Sequence, residues 1–128
     1  MRPAECRYTT SHEWIRTDGD QAALGITDYA AGQLGDITYV ELPQVGDQLQ
    51  AGQPFGSVES VKAVSDLVAP ASGEVAAVNE EIDADPGLVN RDPFGEGWLV
   101  RIRPADPAEA DKLLSAEQYE RHLEELDT

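Results

Sequence analysis

The stretch Phe55-Gly56-Ser57-Val58-Glu59-Ser60-Val61-Lys62-Ala63-Val64-Ser65-Asp66-Leu67-Val68 decides how this chain folds. Its two flanks, Phe55 to Glu59 and Val64 to Val68, are rich in Val and Phe, residues that suit a half-buried pleated surface. The connection between them holds no Gly or Pro, so the pattern predicts a tight hairpin with Lys62 projecting from a stiff tip. A primary amine held there can be acylated to a stable amide. By itself, a lysine at a tip is more often a plain solubilising residue.

Working outward, turn signals at Gly46-Asp47, Gly52-Gln53-Pro54, Pro70-Ala71-Ser72-Gly73 and Asp85-Pro86-Gly87 cut the middle of the chain into segments too short for helices. Toward the N-terminus, Tyr8 to Arg16 reads as extended, and Asp18-Gly19-Asp20 folds it back onto a strand from Gln21 to Ile26. Thr27 offers a hydroxyl N-cap to a short helix that Gly35 stops. Asp36 to Leu42 is apolar on much of both sides, as an internal strand would be, and Pro43 ends it. Trp98 to Arg103 is the final strand. Two helices follow: Asp106-Pro107-Ala108-Glu109 and Ser115-Ala116-Glu117-Gln118 each carry an N-cap and a capping-box acceptor, and Leu113, Leu114, Tyr119, His122, Leu123 and Leu126 supply their apolar faces. Together these elements predict a compact β sandwich or flattened barrel.

At 128 residues the chain is expected to be a single domain, with a core of about 6–104 and a C-terminal helical extension of about 105–128. With 9 Lys+Arg against 25 Asp+Glu and a net charge of -16, it would be repelled by nucleic acid and by an anionic membrane; basic protein surfaces are the natural partners. No apolar run approaches the roughly 18 residues of a membrane span. Cys6 is the only cysteine, which rules out an intramolecular disulfide and suits a reducing, bacterial-type cytoplasmic location. Nothing in the spacing groups enough donors for a metal site. As an enzyme, the chain could offer only Cys6 with His12 and Glu13, and an extended strand would hold Cys6 and His12 about 20 Å apart. No catalytic residue is therefore assigned.

The runs Ser11-His12-Glu13-Trp14, Gly25-Ile26-Thr27-Asp28, Leu34-Gly35-Asp36, Val40-Glu41-Leu42-Pro43, Gly56 to Asp66, Pro70 to Val75 and Asn90 to Trp98, in that order, resemble the glycine cleavage system H-protein family. The resemblance implies a mostly β barrel-sandwich hybrid, related to lipoyl and biotinyl carrier domains, with short helices, two of them C-terminal. It implies lipoate in amide linkage to Lys62, with Glu59 helping a lipoate-attaching enzyme recognise the hairpin. The arm would take an aminomethyl group from a pyridoxal-phosphate glycine decarboxylase, yield it to a folate-dependent aminomethyltransferase, and be reoxidised by dihydrolipoamide dehydrogenase. The chain itself would be a shared substrate of these enzymes and not a catalyst. The resemblance also points to Ser11, Glu13 and Asp66 as lining an arm pocket; from the residues alone, Ser11 could equally cap a turn, Glu13 face water and Asp66 close the hairpin. Gln33 stands in the helix where better-known members carry a histidine, so it can hydrogen-bond the arm but cannot change charge. The rival is a lipoyl relay or a carrier domain of a 2-oxoacid dehydrogenase. Against it stand the tip Val61-Lys62-Ala63, which has the glycine-cleavage form, and the C-terminal helices, which are foreign to simple lipoyl domains.

Overall fold

The structure is a computed structural model and describes residues 2–126; Met1 and the last two positions of the expected 105–128 extension lie outside it. It is mostly β, built of two antiparallel sheets. The larger has the order β1-β2-β3-β9-β8-β5, from Arg7–Tyr8 (β1), Glu13–Asp18 (β2), Gln21–Ile26 (β3), Val100–Pro104 (β9), Gly73–Val78 (β8) and Gln48–Leu49 (β5). The smaller has the order β4-β6-β7, from Ile37–Glu41, Pro54–Ser60 and Val64–Val68. Neither sheet closes on itself as a barrel among the described residues.

Alternation along β2 and β3 sorts side chains into layers. Ile15, Ala22 and Leu24 point into one core with Val75, Val100 and Ile102. Trp14 and Ala23 point the other way, into a core with Tyr8 and with Tyr119 and Leu123 of the C-terminal helix α4 (Ala116–Leu126). A third core lies between the small sheet and the short helices, where Val40, Val58 and Leu67 meet Ala31 of α1 (Asp28–Leu34), Ile82 of α2 (Glu81–Ala84) and Val89 of α3 (Leu88–Arg91). Leu42 and Phe55 touch both the first and third cores and so join the two sheets. Gly25 is what lets Trp14 lie flat on β3, since a Cβ there would sit 2.6 Å from the indole ring.

Much of the expected turn and cap chemistry is present. Asp18 pairs with Gln21 around a positive-φ Gly19, Thr27 Oγ1 accepts from Ala30 N, and Gly35 closes α1 with φ 77°. Ser115 and Gln118 exchange the two bonds of a capping box at α4, with Gln118 N donating to Ser115 Oγ and Ser115 N donating to Gln118 Oε1.

Five expectations need correction. The run from Tyr8 to Arg16 is two strands, because residues 9–12 turn sharply with His12 at φ 73°. Asp36 to Leu42 is not an internal strand: β4 is an edge whose alternation is reset by a bulge between Ile37 and Tyr39, leaving Tyr39 exposed. The Asp85-Pro86-Gly87 turn is flanked by helices α2 and α3. Of the two C-terminal helices the first, Pro107–Lys112, is 3-10, and its Glu109 carboxylate accepts from Ser72 N instead of completing a capping box. Leu126, expected on the docking face of α4, is half exposed.

Candidate functional site

The β6–β7 hairpin builds its tip from local hydrogen bonds. Glu59 pairs with Val64, Ser60 N donates to Ala63 O at 2.8 Å, and Ser60 Oγ accepts from Ala63 N at 3.1 Å and Lys62 N at 3.3 Å. Val61 N donates to Asp36 O at 3.1 Å, tying the tip to the segment that leaves α1. Three bonds within residues 60–63 and one to Asp36 explain how a tip without Gly or Pro stays tight. Lys62 is exposed on it, flanked by exposed Val61 and Val64, and among the described residues it makes no ion pair. Its stem lies over the end of α1: a Cβ added at Gly35 would stand 3.3 Å from Lys62 Cε and 3.9 Å from Nζ. Asn90 holds that helix end in place, donating to Gly35 O at 2.8 Å and accepting from Ile37 N at 2.9 Å.

Ser11 and Glu13 come together beside Val68, at the end of β7 away from the tip. Glu13, 3% exposed at the start of β2, accepts from Ser11 Oγ at 2.5 Å and Thr9 Oγ1 at 2.7 Å on one oxygen, and from Val68 N of β7 at 3.2 Å on the other. Its side chain therefore links the large sheet to the open edge of the small one. Burial pushes the Glu13 carboxyl above its ordinary value, against the lowering effect of the Ser11, Thr9 and Val68 donors. Thr9, which also accepts from Glu13 N at 3.0 Å, was not singled out in the sequence, although a hydroxyl four residues before a carboxylate is the one signal that could have found it.

The remaining candidates are less closely gathered. Asp66 is exposed on β7 opposite Ser57, two residues before Val68, and its carboxylate bonds to neither Ser11 nor Glu13. Gln33 is exposed on α1, two residues before the Gly35 that underlies Lys62. Glu59 is exposed beside the tip and does not pair with Lys62. Cys6 is buried and His12 lies past the turn, with its Nδ1 on the Tyr119 hydroxyl at 2.7 Å, so the two do not make a nucleophile and base. Among the described residues no three His, Cys, Asp or Glu side chains gather as a metal ion would need, and no helix is long and apolar enough to cross a membrane.

The arrangement is an outward amine at a hydrogen-bonded tip, with its stem along one helix end, and a shielded carboxylate bonded to the far end of the same hairpin's second strand. Known proteins resemble the chain over nearly its whole length. The glycine cleavage H-protein family model matches residues 6–126. A glycine cleavage system H protein of Anoxybacillus flavithermus is 54% identical over 121 residues, covering 94% of this chain and 95% of the relative. One from Rubrobacter xylanophilus is 54% identical over 123 residues, covering 96% and 95%. The crystal structure of a glycine cleavage system H protein from Mycobacterium marinum superimposes with a TM-score of 0.86 at 38% identity, covering 99% of this chain and all of the other.

Proposed function

Because the chain belongs to the glycine cleavage H-protein family and so serves as a lipoyl carrier in the glycine cleavage system, we propose that Lys62 is the residue that bears lipoate. The observation that carries this reading is the exposed Lys62 amine on a tip fixed by Ser60. The residues fit the group: among the described residues the amine makes no ion pair, and an arm of roughly ten bonds from Cα reaches about 14 Å, enough to enter another protein's cleft. Lipoate supplies, when bound, a dithiolane that accepts an aminomethyl group and two electrons.

This chain's own residues then present and shelter that arm. Gly35 leaves space for the lysine stem, and a side chain there would displace it. Glu13, screened from water by Ser11 and Thr9, would receive an ammonium group, and Asp66 on β7, the strand Glu13 bonds to through Val68 N, would add a second carboxylate at the rim. Gln33 on α1 contributes a neutral amide. Excluding water from an amine-bearing arm is what slows its hydrolysis.

As clients we propose a pyridoxal-phosphate glycine decarboxylase, a folate-dependent aminomethyltransferase and dihydrolipoamide dehydrogenase, with a lipoate-attaching enzyme that reads the exposed Glu59 beside the tip. The net charge of -16 favours basic rims on those partners, and the chain is their shared substrate in a reducing cytoplasm. A relay or 2-oxoacid dehydrogenase carrier is not favoured, since the family match runs through the C-terminal helix. Intact mass spectrometry of natively expressed protein, with peptide mapping, should find one lipoyl increment on Lys62. An unmodified Lys62 in a host that lipoylates its other carriers would refute the assignment.

A further inference from the structure

Tyr119 of α4 is fully buried, and its hydroxyl is the meeting point of two elements that flank the arm site. On one side it contacts His12 Nδ1 at 2.7 Å; on the other it contacts Thr27 Oγ1 at 2.8 Å. His12 ends the turn that delivers Ser11 and Glu13, and it holds φ 73°, a left-handed backbone that a residue other than Gly keeps only when its surroundings enforce it. Thr27 caps α1, the helix whose far end carries Gln33 and the Gly35 over which Lys62 lies. A second link, Thr27 N to His12 O at 2.9 Å, runs through the backbone alone. The tyrosine ring is itself fixed by stacking on Tyr8, with ring centroids 4.8 Å apart and planes 8° from parallel.

We propose that Tyr119 is a positioning residue of the arm site: its hydroxyl joins the Ser11–Glu13 turn to the N-cap of α1, so that the C-terminal helix sets the spacing of the two elements that would line the arm. A phenol suits this task because it donates one hydrogen bond while accepting another, serving an imidazole and a threonine hydroxyl together. Burial pushes the Tyr119 hydroxyl up to about 12, so it keeps its proton throughout the physiological range. The α4 helix thus does more than cover an apolar face. It reaches through one oxygen into the geometry of a site formed by other elements, none of which is adjacent to it in sequence.

The inference rests on the arm-pocket reading and is tested separately from it. Tyr119→Phe keeps the ring stack and removes the hydroxyl. In the unmodified protein, the His12 ring nitrogens should shift in NMR spectra and the Ala30 and Val68 amides should exchange faster, while lipoylation of Lys62 proceeds at the parental rate. In the loaded carrier, ammonia release should be about two- to tenfold faster, the factor that the loss of one ordinary hydrogen bond supports. Leu123→Ala weakens the same helix contact without touching the hydroxyl and should leave the release rate unchanged. An unaltered rate in Tyr119→Phe, or an equal acceleration in Leu123→Ala, overturns the proposal. Should Tyr119→Phe fold poorly, His12→Asn removes the ring nitrogen at a position where Asn tolerates positive φ, and is held to the same criterion. Glu13→Gln is the control for the pocket: an unchanged rate there sinks the pocket reading, whereas the Tyr119→Phe result decides the positioning role.

Discussion

The hairpin tip and the Glu13 turn meet opposite ends of β7, Val64 and Val68, and they are built on opposite terms. At the tip every fixed atom is backbone or Ser60, and the side chains of Val61, Lys62 and Val64 are left in solvent. At residues 9–13 the carboxylate is 3% exposed and receives three hydrogen bonds, one of them from the other sheet. The tip is rigid so that it can present a group, and the turn is rigid so that it can withhold one. Hydroxyls serve in both places, Ser60 accepting from backbone amides at the exposed tip and Ser11 and Thr9 donating to the buried carboxylate, and burial separates the two roles.

The sharpest way to break this contrast is Lys62→Arg. A guanidinium cannot form the acyl amide, so glycine decarboxylation coupled to this protein should fall to background while the unfolding free energy stays within about 0.5 kcal/mol of the parent. Residual coupled turnover, or a large stability change, would mean that the tip is not purely presentational. Glu13→Ala should behave in the reverse way, losing about 1–3 kcal/mol in urea melts because Val68 N, Thr9 and Ser11 are left without their acceptor. A neutral result would show that the turn is not a clamp.

The pH dependence sharpens the second half of the comparison. The folded Glu13 carboxyl titrates above its ordinary value near 4.5, so the folded state holds this proton more tightly than the unfolded chain does. Its contribution is complete below that ordinary value and is lost as pH rises through the folded value. The stability of the parent relative to Glu13→Gln should therefore be greatest in acid and shrink across that window; a difference flat with pH would count against the burial argument. The smallest effect is expected at the tip itself. Ser60→Ala removes the acceptor of the Lys62 and Ala63 amides at exposed positions, costing about 0.5–1 kcal/mol and speeding hydrogen exchange at those two amides, with little change elsewhere.

Local chemistry made part of this molecule readable in advance. The Asp18-Gly19-Asp20 turn, the Thr27 and Gly35 ends of α1, the Ser115 capping box and the Lys62 hairpin each depend on residues within a few positions of one another. Other features had no local signature. Helices α2 and α3 have four residues each, too few to show a period. The bulge in β4 hid its alternation and made an edge read as an interior strand. His12 carries no residue-type signal for positive φ comparable to glycine, so the turn between β1 and β2 was invisible. In the site, Lys62 was legible and the grip on Glu13 was not, because Val68 lies 55 residues along the chain; Tyr119 lies 107 residues from His12.

Cys6 has a consequence for the chemistry proposed at the far end of the molecule. The chain's single sulfhydryl is 1% exposed, and burial raises it above its ordinary value, with the Arg16 guanidinium pulling the other way. Thiol–disulfide exchange needs an accessible thiolate, so this sulfur can neither attack a dithiolane on the same protein nor cross-link two copies through one. A carrier whose cargo is itself a strained disulfide is in this way kept chemically silent toward it.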